Sequence, residues 1–97
     1  MGEAQRYAEL RLLERAGCIV MLETQKTFVL QPGFICNDKK VRPITYIADF
    51  YYYNKDIGKY IVEDYKGMET DVFKIKWKML KFLHSDKYIY IKSGRKP

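Results

Sequence analysis

Two segments of the chain carry apolar residues at helical spacing, and the segments between them alternate apolar with polar positions. Apolar positions three and four apart predict a helix over residues 3–16, which Gly17 would end. The same spacing predicts a second helix over residues 71–83, with Thr70 or Glu69 as its N-cap. These two helices frame a central block of strand-like sequence.

The strand-like segments are rich in β-branched and aromatic residues and are separated by turn residues. Residues 54–58 include Asn, Asp and Gly, which predict a hairpin turn. The pattern predicts strands over residues 18–30, 41–53, 59–67 and 87–92.

The order helix, two or three strands, helix, strand predicts an α/β fold with a mixed sheet of four to five strands flanked by helices. The return from the third long strand through the second helix favours a right-handed crossover and therefore a parallel pair of strands. A chain of 97 residues is expected to form one domain over 1–97, with 93–97 as a frayed basic tail.

The composition indicates the type of binding partner and the cellular compartment more than it indicates the fold. A formal net charge of +6 favours an anionic partner, of which nucleic acid is the commonest. Cys18, Cys36 and the single His84 lack the spacing of a zinc site. The polar N-terminus, the absence of an apolar run of membrane-spanning length and two free thiols predict a cytoplasmic protein with no membrane contact.

Acidic residues and a lysine stand within the predicted hairpin, where unpaired charges are rare. If Asn54 pairs with Lys59, then Asp49 falls directly opposite Asp64, with Cβ atoms roughly 5 Å apart. Lys66 shares that face because side chains alternate along a strand. A slip of one residue would instead pair Asp49 with Glu63, so Glu63 remains the alternative carboxylate.

Two carboxylates at this distance repel each other unless a cation lies between them. Mg²⁺ prefers oxygen ligands and keeps several waters, so Asp49, Asp64 and a backbone carbonyl, that of Tyr65, would suffice. Lys66 would then act on the attacking water or on the charge of a phosphoryl group. In the register that pairs Asp49 with Asp64, Glu63 faces the opposite side, and we expect it at the surface.

Three further sets of residues are candidates. Glu9 has apolar neighbours three, four and seven residues later, which favours an inward position near the site over a loose surface pair with Arg6 or Arg15. A face of the second helix and the basic tail offer contacts to the DNA backbone, although a solvated face is an equal reading for the helix. These candidate phosphate contacts are Lys74, Lys78, Lys81, Arg95 and Lys96.

Asp49 followed on the next strand by Asp64-Tyr65-Lys66 resembles the PD-(D/E)XK nuclease motif, with Ala48 where the proline often stands and Asp64 in place of the commoner glutamate. The resemblance extends over roughly residues 5 to 92. Its motifs resemble those of a small phage and prophage nuclease-like family of unknown function: RYAEL, LETQ, LQPGF, YIADF and VEDYKG.

This resemblance implies a restriction-endonuclease-like core and Mg²⁺- or Mn²⁺-dependent hydrolysis of DNA phosphodiesters. It also implies kinship with phage Holliday-junction resolvases, and hence action on branched DNA in the cytoplasm of a bacterial host. In such nucleases a glutamate of the first helix often joins the metal site, and Glu9 matches that position.

The sequence therefore predicts a Mg²⁺-dependent endodeoxyribonuclease that cuts branched or Holliday-junction DNA in phage recombination or replication. Asp49, Asp64, Lys66 and Glu9 are its predicted catalytic residues. Because so short a domain covers little DNA, a homodimer is expected. Two alternatives stay open: a non-catalytic DNA-binding accessory protein that keeps the nuclease fold, and a small toxin-like nuclease or RNase.

Overall fold

The computed structural model describes residues 2–66 and 68–94, which contain two α-helices and six β-strands. The two predicted helices and four predicted strands are confirmed to within three residues at each end. In chain order the elements are α1 (Glu3–Arg15), β1 (Ile19–Gln31), β2 (Phe34–Cys36), β3 (Lys39–Val41), β4 (Ile44–Asn54), β5 (Lys59–Tyr65), α2 (Asp71–His84) and β6 (Tyr88–Ser93), with a short 3₁₀ turn at Ser85–Lys87.

The four long strands form one mixed sheet in the order β1–β4–β5–β6. The β1–β4 and β4–β5 pairs are antiparallel, whereas β5 and β6 are parallel. A parallel pair needs a crossover connection, and α2 provides it. The predicted α/β class, the mixed sheet and the parallel pair are confirmed.

Both faces of this sheet are covered by a helix. On one face Leu10 of α1 packs in a core cluster with Ile61, and on the other Trp77 of α2 packs in a cluster with Val62. Ile61 and Val62 are consecutive in β5, so their side chains point to opposite faces. Because both faces are covered, β5 is fully buried over residues 61–64.

The turn between β4 and β5 fixes the register of the hairpin. The Asn54 side-chain carbonyl accepts hydrogen bonds from the backbone N–H groups of Asp56 and Ile57, at 2.9 and 3.3 Å. Gly58 adopts a φ of 66°, which glycine tolerates without steric cost. The turn pairs Asn54 with Lys59, as predicted from the sequence.

Helix α2 begins shortly after the end of β5 and packs on the Val62 face. The hydroxyl of Thr70 accepts a hydrogen bond from the Phe73 N–H at 3.1 Å, so Thr70 is the N-cap. Phe73, Trp77 and Leu80 are buried, as the apolar spacing predicted.

Strands β2 and β3 were not predicted from the sequence. They form a separate two-stranded ribbon, inserted between β1 and β4, in which Phe34 pairs with Val41 and Cys36 with Lys39. Each strand has only three residues, too few to show an alternating pattern.

Candidate active site

The candidate site lies where β5 ends beside the middle of β4. The pairing of Phe50 with Glu63 brings the next residues, Asp49 and Asp64, next to each other. The carboxylate of Asp49 accepts a hydrogen bond from the backbone N–H of Tyr65 at 2.8 Å. The predicted register is therefore confirmed, and the one-residue slip does not occur.

Strand β4 changes face at Asp49. Tyr46 and Ala48 belong to the cluster under α2, whereas Phe50 and Tyr52 belong to the cluster under α1. Residues of the same parity would share one face in a regular strand, so the alternation is interrupted between Ala48 and Phe50. This irregularity leaves the Asp49 carboxylate close enough to the end of β5 to bind its backbone.

Asp64 is an acid held almost entirely away from water. Its side chain is 1% exposed, and one carboxylate oxygen, Oδ2, accepts a hydrogen bond from the Tyr46 hydroxyl. The other oxygen, Oδ1, is buried and accepts no hydrogen bond from a donor among the described residues, while the Asp49 carboxylate lies within hydrogen-bonding range of Asp64. An unsatisfied buried oxygen is costly, and a ligand or ordered water would relieve it.

Burial and the neighbouring Asp49 raise the pKa of Asp64 to about 7. Burial is the larger cause, because it disfavours the charged form. The Tyr46 hydroxyl and the positive charge of Lys66 act in the opposite direction but do not cancel the effect. Asp64 therefore keeps its proton up to near neutral pH.

Lys66 lies at the rim of this acid pair. Its ammonium nitrogen is 3.9 Å from Oδ2 of Asp64 and 4.9 Å from the centre of the Phe73 ring. The backbone N–H of Lys66 donates to the carbonyl of Ser93 at 2.8 Å, which fixes the end of β5 against β6. The side chain remains partly exposed, so its charge faces the solvent beside the acids.

The prediction that Glu9 points inward is wrong. Its side chain is 53% exposed and pairs with Arg6 at 3.0 Å, which is the surface pair that the sequence offered as the alternative to a site role. Glu9 lines a cavity with Tyr65 and Ser93, and a second acid of α1, Glu3, lies near the carboxylate pair. The pKa of Glu3 is raised by burial and by Asp49 and lowered by Lys66, which places its carboxyl within electrostatic range of both.

The choice between the two glutamates depends on how α1 is rotated on the sheet. Leu10 is the only buried residue of this helix, so the apolar pattern constrains the rotation poorly. Glu3 and Glu9 are six residues apart and therefore project from different sides of the helix. Gln25 of β1 donates to the Glu3 carboxylate at 3.4 Å and supports its position.

Glu63 is not at the surface as predicted; it is completely buried. Arg6 binds both of its carboxylate oxygens, at 2.5 and 2.9 Å, and the Tyr52 hydroxyl donates to it at 2.7 Å. Burial acts to raise the pKa of Glu63, but the bonds from Arg6 and Tyr52 outweigh it and hold that pKa below its usual value. Glu63 is thus fully engaged on the α1 face, opposite Asp64, and does not replace it.

The predicted lysines of α2 lie on one exposed groove beside the site. Phe73, whose ring contacts the Lys66 ammonium, also lines this groove, so the groove and the acid pair adjoin. Arg95 and Lys96 lie outside the described residues. The groove is lined by Glu69, Phe73, Lys74, Trp77, Lys78, Lys81 and Lys92.

Within residues 2–66 and 68–94, no group of three or more His, Cys, Asp and Glu side chains is placed to hold a metal ion. The oxygen donors that do converge are the carboxylates of Asp49 and Asp64. The carbonyl of Tyr65 belongs to the same part of the site, since the N–H and C=O of a strand residue point to the same neighbouring strand. Three oxygens of this kind suit a hard cation that retains waters.

The fold and the site define an α/β protein that holds a close pair of carboxylates and a lysine at the end of a mixed sheet. The chain belongs to the family described as a protein of unknown function (DUF1064), whose model matches residues 1–96. Searches of the curated proteins and of the solved structures gave no significant match. Neither helix in the described part of the chain is long and apolar enough to cross a membrane.

Proposed function

We propose that this protein is a metal-dependent DNA endonuclease with a restriction-endonuclease-like core and a PD-(D/E)XK site. One observation carries the proposal: Asp64 is buried beside Asp49, and one of its oxygens has no partner. A structure that leaves a buried acid unsatisfied at a sheet end, next to a lysine, is better explained by a ligand site than by stability. The proposed cofactor is Mg²⁺ or Mn²⁺.

Asp49, Asp64 and the Tyr65 carbonyl would hold the cation, and Glu3 would support them from α1. When bound, the cation lowers the pKa of a water molecule and neutralises charge on a phosphoryl oxygen. The fit rests on the unpartnered Oδ1 of Asp64 and on a donor set made only of oxygens.

The remaining contacts of the site keep its reactive groups in place. The Tyr46 hydroxyl and the Tyr65 N–H each hold one carboxylate and leave its other oxygen for a ligand. The Lys66 ammonium, 3.9 Å from Asp64, supplies a positive donor that orients the attacking water or stabilises the charge of the pentacovalent phosphate.

The charge of the surrounding surface favours a nucleic acid as substrate. Exposed lysines of α2 line the groove that adjoins Lys66, and the whole chain carries a net charge of +6. Branched or Holliday-junction DNA, phage recombination and a homodimer with two active sites are the finer parts of this proposal. They come from the resemblance of the motifs around Asp49 and Asp64.

The proposal is tested with a panel of DNAs that comprises four-way junctions, flaps, linear duplex and single strands, each with Mg²⁺, Mn²⁺ or EDTA. We expect metal-dependent cleavage, and a loss of at least about a hundredfold in Lys66→Ala while DNA binding persists. Lys55→Ala, an exposed lysine in the β4–β5 turn, is the matched control and should cleave normally. If no DNA is cut under any condition, the endonuclease is excluded; if Lys66→Ala cleaves normally, the cleavage does not come from the proposed site.

The two glutamates of α1 form a second matched pair. Glu3→Gln should weaken cleavage and shift the Mg²⁺ dependence to higher concentration, because Glu3 acts electrostatically on Asp49 and Lys66. Glu9→Gln should leave both unchanged, because Glu9 is exposed and pairs with Arg6. If instead Glu9→Gln weakens cleavage and Glu3→Gln does not, then Glu9 is the acid of α1 that supports the metal site.

A non-catalytic DNA-binding accessory protein is the second candidate. The lysine groove favours it, because neither Asp49 nor Asp64 lines that groove and DNA binding there needs no acid. Tight DNA binding without cleavage, unaffected by Asp64→Asn, would support this function, and the same panel run with RNA tests an RNase.

A further inference from the structure

The β2–β3 ribbon exposes side chains that the fold itself does not use. All six of its strand residues are exposed, and none belongs to either core cluster. Phe34 is 47% and Ile35 69% exposed, although apolar residues of this size are usually buried when stability alone is selected. The ribbon therefore presents a surface for something outside the chain.

Basic residues dominate this surface. Lys39, Lys40 and Arg42 stand against a single acid, Asp38, within the ribbon and its base. A basic and partly apolar surface of this kind is complementary to the phosphates of a nucleic acid and to the edges of its bases.

The ribbon is built stiffly at both ends. Asn37 and Asp38 form its turn with φ values of 51° and 62°, the tight geometry whose twist matches a two-stranded ribbon. At its base Gly33 is packed so closely that an added Cβ would lie 3.0 Å from the carbonyl oxygen of Val41 and 3.3 Å from Pro43 Cδ. A stiff arm loses little conformational entropy on binding.

The ribbon also lies in a suitable place relative to the acid pair. Strand β5 ends beside Asp49, whereas β1 and β4 continue past that point and lead into the ribbon. Five residues separate Asp49 from Ile44, which is about 17 Å along a strand. The ribbon adds up to about 20 Å more, so its tip lies within about one turn of DNA of the site. The longest dimension of the molecule, 53 Å, is large enough for this reach.

We propose that the β2–β3 ribbon enters the major groove of the duplex that flanks the cleaved phosphate, with Lys39, Lys40 and Arg42 on backbone phosphates. The major groove of B-DNA, about 12 Å wide, admits a two-stranded ribbon without deformation, whereas the minor groove, about 6 Å wide, admits one only when the duplex is bent or the groove is widened. This inference rests on the proposed function, because it takes DNA as the ligand of the neighbouring site.

The test compares two triple variants that remove the same charge from opposite ends of the molecule. The ribbon variant is Lys39→Ala/Lys40→Ala/Arg42→Ala, and the control is Lys55→Ala/Lys59→Ala/Lys87→Ala, all exposed lysines at the turn end of the sheet. Binding to a duplex of about 30 base pairs, about three helical turns, is followed by fluorescence anisotropy in EDTA over a range of salt.

We expect the ribbon variant to bind duplex about ten- to a hundredfold more weakly, whereas the affinity of the control changes less than about threefold. The slope of log affinity against log salt concentration should also become shallower in the ribbon variant, by the equivalent of up to about three phosphate contacts. Methyl green, which occupies the major groove, should compete with the wild type, and distamycin, which occupies the minor groove, should not. Equal weakening in both variants, or competition by distamycin alone, would overturn the inference.

Two further outcomes separate the ribbon from its alternatives. If Phe34→Ser/Ile35→Ser turns a dimer into a monomer in sedimentation velocity without weakening DNA binding, the ribbon contacts a second copy of the chain and the inference is wrong. If the wild type cleaves DNA and the ribbon variant binds and cleaves equally well, only the ribbon inference fails. If the wild type binds duplex through the ribbon but cuts no DNA, the proposed endonuclease function is wrong, whereas the inferred contact between the ribbon and DNA is supported.

Discussion

Replacement of Asp64 by asparagine removes a charge that the fold holds at a cost. Asparagine has nearly the same shape, its side-chain oxygen still accepts the bond from Tyr46, and its amide can donate to Asp49. The substitution therefore isolates the ionisation of Asp64 from its packing. We expect Asp64→Asn to be more stable than the wild type above neutral pH in the absence of metal.

The magnitude follows from the pKa of Asp64, which is 3.8 in an unfolded chain and about 7 in the folded protein. Below pH 3.8 the carboxyl is protonated in both states and costs nothing. As the pH rises from 3.8 to 7, the unfolded state releases its proton first, so the free energy of unfolding falls. Above pH 7 the ionised Asp64 lowers the free energy of unfolding by its full amount, about 4 kcal/mol, since one pKa unit corresponds to about 1.4 kcal/mol.

The assay is urea unfolding of the wild type, Asp64→Asn and the control Asp56→Asn at pH 5 and pH 8 in EDTA. Asp56 is an exposed acid of the hairpin turn, and its substitution should change stability little at either pH. The advantage of Asp64→Asn over the wild type should be larger at pH 8 than at pH 5 by roughly 2 kcal/mol or more. Other titrating groups cancel in this comparison because all three proteins carry them.

Addition of Mg²⁺ at pH 8 provides the second half of the test. A cation bound to the ionised pair stabilises the wild type by about 2.7 kcal/mol at a concentration one hundred times its dissociation constant. Asp64→Asn should gain little. If Asp64→Asn is no more stable than the wild type at pH 8, Asp64 does not carry the strain inferred from its burial, and the main support for the metal site is lost.

Three further substitutions test individual contacts. Arg6→Ala should cost about 3–5 kcal/mol in urea unfolding, because it leaves the buried charge of Glu63 unpaired; a loss below 1 kcal/mol would contradict that burial. Tyr46→Phe should raise the pKa of Asp64 further, because the lost hydroxyl bond favours the ionised form; a carboxyl titration followed by NMR that moves downward would contradict this. Trp77→Ala should cost about 3–5 kcal/mol by opening a cavity under the sheet, and an unchanged thermal midpoint would show that α2 is not packed there.

The fold was predictable where a local feature determined it. The turn at residues 54–58 set the hairpin register because Asn54 caps its N–H groups and Gly58 takes a positive φ. That register brought Asp49 and Asp64 next to each other. The helix α2 was predictable for a similar reason, since its apolar residues lie on one stripe and Thr70 caps it.

Other features depended on tertiary contacts that no local pattern contains. Glu63 was expected at the surface because it faces the side opposite Asp64, but α1 covers that face and brings Arg6 to the carboxylate. The run of apolar and aromatic residues in β5 was the available signal, since such runs mark strands buried on both faces. Glu3 was missed because α1 has only one buried residue, Leu10, so its rotation is fixed by the sheet rather than by its own pattern.

The contrast between Glu63 and Asp64 is the strongest reason to look for a ligand at this site. The two acids are consecutive in one strand, and both are almost completely buried. The fold satisfies Glu63 with Arg6 and Tyr52 and keeps its pKa low, so this protein is able to accommodate a buried carboxylate. One residue later it leaves an oxygen of Asp64 without a partner, sets a second acid beside it and allows its pKa to rise. Because the fold pairs one of two consecutive acids and not the other, the environment of Asp64 is not due to an inability of the fold to pair a buried carboxylate, and it supports the proposed cation site.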